Sequence, residues 1–138
     1  MFSGTYPPYD DGMKMDIFIK NASGQVLESW VWNHMMKNVF PDFTNSVATQ
    51  YWYKQFKDFY NLVPFDGAWT DMNEISNMRN NGSIYGCPKN STYENPPYRP
   101  GNVDMHFHAI CLTAKQQIGI QYNVHNLYSI YQSKVTDL

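Results

Sequence analysis

With 138 residues, 43% of them hydrophobic, the chain is long enough for one ordinary domain with a core of its own. Charged residues make up 16% and the net charge is -2, so there is no basic face to track phosphates, which excludes nucleic acid as a partner class. No apolar run approaches the roughly 20 residues that span a bilayer, and Met1-Phe2-Ser3-Gly4-Thr5-Tyr6-Pro7-Pro8 has neither the basic nor the apolar region of a signal peptide, so no membrane segment or leader is read here.

Met15 to Ile19 alternates as a strand does, and Asn21-Ala22-Ser23-Gly24 is a turn cluster before a second extended run, Gln25 to Val31; together they predict a hairpin. Pro41 then breaks the chain, and Thr44 is placed to cap a helix running to about Tyr60. Ala48, Trp52, Phe56 and Phe59 fall on one stripe of that helix, the pattern of a face turned to the core. Phe65 to Asp71 is short and apolar with a polar end, which predicts a buried strand, and helix followed by strand is half of a βαβ unit. Asn73 to Gly101, rich in Asn, Gly, Ser, Pro and Tyr, predicts a long irregular loop of the kind that carries function or stays disordered. Ala109 to Ile120 fits strand and helix equally, and from about Asn126 the spacing of Leu127, Ile130, Tyr131 and Val135 predicts a final helix. One strand buried on both faces cannot make a sheet, so the chain is expected to be a piece of a larger α/β fold.

Chemistry concentrates in Trp69-Thr70-Asp71-Met72-Asn73-Glu74. Side chains two apart on a strand share a face, so Asp71 and Trp69 can touch one ligand, a carboxylate beside an aromatic platform that suits a sugar. A carboxylate at the C-terminal end of a parallel strand also lies where α/β folds place their active sites. A helix cap or a loop-organising role fits Asp71 as well. Glu74 lies past the strand end, where hydrogen bonding within the loop is its expected task. Asp66 points to the opposite face of a regular strand and is a poor partner acid. Asp104, His106 and His108 alternate with spacing that zinc would accept, but no fourth ligand lies nearby and no metal site is assigned. The triplets Asn21-Ala22-Ser23, Asn81-Gly82-Ser83 and Asn90-Ser91-Thr92 are glycosylation sequons, though a chain this rich in Asn also carries such triplets by chance. Cys87 and Cys111 flank the Pro/Asn-rich loop; a disulfide and two separate buried thiols both fit.

Four ordered motifs resemble the central catalytic segment of glycoside hydrolase family 31: Phe40-Pro41-Asp42-Phe43-Thr44-Asn45, Phe65 through Glu74, Glu94-Asn95-Pro96-Pro97-Tyr98, and Tyr122-Asn123-Val124-His125-Asn126-Leu127-Tyr128. The likeness runs from about Tyr9 to Tyr128, nearly the whole chain, and is greatest to the α-glucosidases of lysosome and intestine. It implies a partial (β/α)8 TIM barrel, with residues 1–138 as one partial domain around barrel strand 4, preceded by a hairpin and followed by a long βα loop. By the same likeness Asp71 stands at the catalytic nucleophile, Trp69 and Met72 line the subsite for the non-reducing glucose, and Trp32 faces the sugar. Cys87 and Cys111 match a pair that is disulfide-bonded in lysosomal members, and Asn21 matches a glycosylated position, which implies the secretory pathway, lysosomal or extracellular.

The chemistry implied is retaining hydrolysis of terminal α-glucosidic bonds in malto-oligosaccharides or glycogen, with no cofactor. The acid/base carboxyl of family members comes from segments beyond the matched region, so the chain by itself is expected to be inactive and to need the remainder of the barrel. A non-catalytic carbohydrate-binding relative is the alternative. Several positions depart from the family pattern: Asn33-His34 replaces Pro-Gly, Thr70 an aliphatic residue, Ile75 a Pro, and Ser129 a Gly. Loss of the proline at position 75 is expected to free the loop after the motif.

Overall fold

Tyr6 lies just ahead of the first helix, α1 (Pro7–Lys14), in a computed structural model that describes residues 6–32, 37–79 and 81–137. The departure at Asn33-His34 lies outside the described residues. Two prolines at the start of α1 lose nothing, because the first turn's N–H groups have no helical partner. Gly12 then lets the helix lie directly on the Phe18 ring, where an added Cβ would come within 2.2 Å of Cζ. Sequence reasoning missed this helix, since Pro-Pro followed by Asp-Asp-Gly reads locally as turn.

The predicted hairpin forms around its turn, with Asn21 Oδ1 accepting the Ser23 and Gln25 N–H groups at 2.9 and 3.0 Å. Its arms, however, are isolated bridges rather than continuous strands: Lys20 pairs with Val26 and Lys115, Phe18 with Pro41, and Ser29 with Asn38. Residues 17–20 thus lie among three other segments, and Ile17, Phe18 and Ile19 are all buried at the centre of the core.

Helix α2 (Ala48–Leu62) starts three residues later than expected, after Val47, and Thr44 does not cap it. The entry is organised instead by two side chains upstream. Asp42 Oδ1 accepts from the Thr44 N–H and hydroxyl at 2.9 and 2.6 Å, and Asn45 Oδ1 accepts from the Val47 N–H at 3.1 Å. The expected apolar stripe faces the core only at its start. Ala48 is buried and Trp52 packs against Phe43 at 4.9 Å, but Phe59 is 57% exposed, while Tyr51, outside the predicted stripe, is buried. Burial raises the Tyr51 phenol to about 12.

Residues 115–120 resolve the ambiguous stretch into a tight antiparallel ladder, β1 (Lys115–Gln116) and β2 (Gly119–Ile120), with Lys115 opposite Ile120. Its turn is tied back by Asp42 Oδ2, which accepts the Gln117 N–H at 2.6 Å. A single helical turn, α3 (Gln121–Val124), leads to α4 (Tyr128–Thr136). The final helix therefore exists, but its inward face is Tyr128, Gln132 and Val135; Leu127 and Ile130 are exposed. α4 lies against α2, where Trp52 Nε1–H donates to Thr136 Oγ1 at 2.9 Å.

Phe65 to Asp71 departs most from expectation. It belongs to no strand, with a bend at Asp66, and all of it is exposed except Phe65 and Thr70, which are half-buried. No strand among the described residues lies beside it, so its backbone has no ladder to join. It is held by the Phe65 ring, which meets Phe56, Phe59 and Tyr60 at 6.1, 6.0 and 5.4 Å on the last turns of α2.

Candidate active site

Along residues 69–71 the alternation of a strand persists without the strand. Trp69, 89% exposed, and Asp71 stand out in solvent, while Thr70 between them is half-buried and lines a concavity of about 570 Å³ with Phe56, Phe65, Asp66 and Ser133. Asp71 and Trp69 do not line that concavity. The carboxylate is oriented by its own turn, because the Met72 N–H donates to Asp71 Oδ1 at 2.8 Å. Met72 is half-buried and takes a left-handed φ of 57°. Glu74 is exposed, and no side-chain bond ties it to Asp71 among the described residues.

The motif leaves through Ile75, where the chain re-enters the core. Ile75 is fully buried, packs in the main apolar cluster and has φ 64°, a value closed to proline and strained for a β-branched side chain. Replacement of the family's proline therefore does not loosen this loop. Burial of the Ile75 side chain anchors it in a conformation that proline cannot adopt.

Beyond Ile75, hydrogen bonds tie the chain to two other segments. Asn77 N–H and Nδ2–H donate to His108 O and Ala109 O at 2.9 and 3.3 Å, and Met78 N–H donates to Trp30 O at 2.9 Å. The Arg79 guanidinium lies 4.3 Å over the Trp30 ring. Ile84 N–H reaches Glu28 O, so residues 28–30 run beside the segment that follows the motif. Trp32, two residues on, is 70% exposed.

Sequence reasoning missed Glu94, which organises the long loop. Its carboxylate is buried, accepting from Leu112 N–H at 3.1 Å, Thr113 N–H at 2.8 Å and Thr113 Oγ1–H at 2.6 Å, with His106 Nδ1 3.6 Å away. Burial alone would raise the Glu94 carboxyl, but His106 and the Thr113 and Leu112 donors outweigh it and hold it below the usual range. The same carboxylate raises the His106 imidazole against the opposing effect of burial. The signal available in sequence was one acid embedded in Pro, Asn and Tyr, whose donors lie 18 and 19 residues further on.

The period-two trio does not converge: Asp104 pairs with Arg99, His106 with Glu94, and His108 lies edge-on to Phe107. Cys87, Glu94 and Cys111 do come together, but the two cysteines form a disulfide and offer no thiolate to a metal. Of the sequons, Asn21 sits in the hairpin turn, Asn90 on an exposed turn, and Asn81 beside the disulfide.

Comparison with known proteins places this geometry in context. The profile of the glycosyl hydrolases family 31 TIM-barrel domain matches residues 2–137. Lysosomal alpha-glucosidase of Bos taurus is 44% identical over 133 residues, 95% of this chain and 14% of that protein. Intestinal sucrase-isomaltase of Homo sapiens is 35% identical over 136 residues, 96% of this chain and 7% of that protein. Among solved structures, the glucosidase II alpha subunit aligns with a TM-score of 0.62 at 20% identity, covering 98% of this chain and 12% of that one. The chain thus spans a small part of these relatives' length, and its fold is a fragment of a TIM barrel.

Proposed function

The chain belongs to glycosyl hydrolase family 31, and on that footing we propose that its 138 residues are the nucleophile-bearing central segment of a retaining α-glucosidase. The observation that carries this reading is Trp69-Thr70-Asp71-Met72-Asn73-Glu74, set in a chain 44% identical to lysosomal alpha-glucosidase, with the Asp71 carboxylate turned to solvent beside an exposed tryptophan. Asp71 attacks the anomeric carbon of a terminal α-glucoside through an oxocarbenium-like transition state. The aglycone oxygen departs with a proton from a second carboxyl about 5 Å away, which then activates water to release glucose from Asp71. Trp69, Trp32 and Met72 line the glucose subsite, and Glu74 supports the loop.

Phe65–Asp71 takes the place of barrel strand 4 and gains its ladder only beside strands from outside these residues. A full barrel takes roughly 200 residues or more. The second carboxyl likewise comes from outside, so the 138-residue chain alone has no turnover. The sequons and the disulfide support passage through the secretory pathway.

The test is covalent. A 5-fluoro-α-glucosyl fluoride, incubated with the full-length enzyme that contains this segment, labels a carboxylate that peptide mapping identifies as Asp71. Labelling at another carboxylate overturns the assignment, and hydrolysis of an activated aryl α-glucoside by the 138-residue chain alone overturns the statement that the second carboxyl lies outside it. The non-catalytic reading draws on one observation, the left-handed Ile75 at the exit of the motif; a full-length parent that neither labels nor turns over decides for it.

A further inference from the structure

The three sequons occupy different structural settings. At Asn21, the two local hydrogen bonds both engage Oδ1 and leave the amide nitrogen outside them, and Ser23 is exposed. Asn90 and Thr92 are both exposed on a turn. Asn81-Gly82-Ser83 is instead built into the neighbourhood of the Cys87–Cys111 disulfide. Gly82 is buried so close to it that a Cβ would fall 2.1 Å from Cys87 Sγ and 2.8 Å from Cys111 Sγ, and Gly82 O accepts the Cys111 N–H at 3.2 Å. The Asn81 carbonyl oxygen lies 3.4 Å from Cys87 Sγ. Ser83 is 6% exposed, and its hydroxyl donates to Gly86 O at 2.9 Å while accepting the Tyr85 N–H at 3.3 Å. The next residue is tied down too, through the Ile84 N–H to Glu28 O.

N-glycosylation needs the asparagine amide and the hydroxyl two residues later presented together on accessible backbone. The amide nitrogen forms a bond to the anomeric carbon of a lipid-linked oligosaccharide diphosphate and loses a proton, and the lipid diphosphate leaves. Disulfide closure removes two protons and two electrons from Cys87 and Cys111, passed to a protein disulfide donor of the same compartment. We infer that these two modifications exclude each other at this site: a molecule with the Cys87–Cys111 bond has no acceptor at Asn81, and one glycosylated at Asn81 does not close the bond, whereas Asn21 and Asn90 accept glycan in either state. Order of synthesis supplies the competition, because Asn81 enters the compartment before Cys111. The inference rests on the secretory reading above.

Expression of the chain behind a secretory leader in a glycosylating host, with non-reducing peptide mapping by mass spectrometry, tests it. The expected result is glycan at Asn21 and Asn90 and none at Asn81 in disulfide-bonded molecules, with Cys111→Ser bringing Asn81 to an occupancy comparable to that of Asn90. Wild-type chain synthesised under dithiothreitol should show the same gain, which guards against misfolding of the variant. Molecules carrying both the bond and a glycan at Asn81 overturn the inference, as do equal Asn81 occupancy with and without the bond and bare Asn21 and Asn90 in this host. The leader imposes the compartment, so failure of the secretory reading shows separately, as native protein that lacks glycan and disulfide altogether.

Discussion

Glu94→Gln should destabilise the chain by about 3 kcal/mol, and the figure follows from the donors around the carboxylate. Thr113 N–H and Oγ1–H both point at Oε1, so a glutamine oxygen can keep them but weakens each from a charge-assisted to a neutral bond. Leu112 N–H points at Oε2 and would face a glutamine NH2, leaving a buried donor unpaired at about 1 to 3 kcal/mol. Equilibrium urea unfolding at pH 5.5 measures the loss, with a drop in melting temperature of about 10 °C as the parallel readout. The pH dependence has a definite sign. His106 is raised by Glu94 and further by Asp104, against burial and Arg99, so its contribution is complete below its ordinary 6.5 and disappears as pH rises through the raised value. Glu94 is lowered, so its contribution is complete above its ordinary 4.5 and disappears as pH falls through the lowered value. The pair thus stabilises most between pH 4.5 and 6.5, and His106→Gln should flatten the alkaline side and, because His106 also helps to lower Glu94, weaken the acid side as well. A loss below about 1 kcal/mol in Glu94→Gln, or an unchanged alkaline limb in His106→Gln, refutes the reasoning.

Gly12→Ala forces a methyl into the Phe18 ring and should cost about 1 to 3 kcal/mol by denaturant unfolding, unlike the usual gain for alanine in a helix. Removing the disulfide with Cys87→Ser opens a link across a sequence separation of 24 residues and should lower stability by about 3 to 4 kcal/mol on the chain-entropy model, measured against the oxidised wild type. Ile75→Pro restores the family residue yet should lose roughly 3 kcal/mol or more, because proline cannot reach φ 64°; unfolding curves equal to wild type would show that the loop adopts another conformation. Asp71→Asn should abolish covalent labelling of the full-length enzyme while leaving the melting temperature of the isolated chain within error, since the side chain is exposed.

What could be read from sequence was local. The Asn21 to Gly24 turn and the two long helices announced themselves through turn residues and a 3.6-residue period, which need no knowledge of the rest of the chain. The inward face of α4 was misread because Leu127 and Ile130 are apolar yet have no neighbour to cover them, whereas Gln132 is buried with Tyr128 and Val135. Residues joined across long separations escaped altogether. Asp42 holds the turn at Gln117, 75 residues on, and α1 needs glycine at position 12 because the Phe18 ring passes beneath it. Glu94 looked like one polar residue of a Pro-rich loop until its donors at Leu112 and Thr113 were brought to it. For the candidate site, the motif and its alternation were legible in the residues, but the exposure of Phe65 to Asp71 was not, since a buried-strand pattern presumes strands on either side.

That exposure separates the residues that hold the fold from the candidate site. After the motif the chain is fastened at several points: Ile75 in the core, Asn77 on 108–109, Met78 on Trp30, Glu94 on 112–113, and the disulfide between 87 and 111. Residues 63–71 rest on the Phe65 ring, which meets Phe56, Phe59 and Tyr60 at the end of α2, and Val63 and Trp69 are left in solvent beside Leu62. A segment outside any ladder, with exposed apolar side chains, has free energy to gain from flanking strands. Completion of the barrel should therefore order residues 63–71 while leaving the disulfide-bonded loop as it is. Hydrogen exchange makes the distinction measurable: amides of 65–71 exchange near the unprotected rate in the isolated chain and become protected in the full-length parent, whereas Leu112 and Thr113 are protected in both. Protection of 65–71 in the isolated chain would mean that the candidate-site segment carries its own ladder, and the dependence on outside strands would then be wrong.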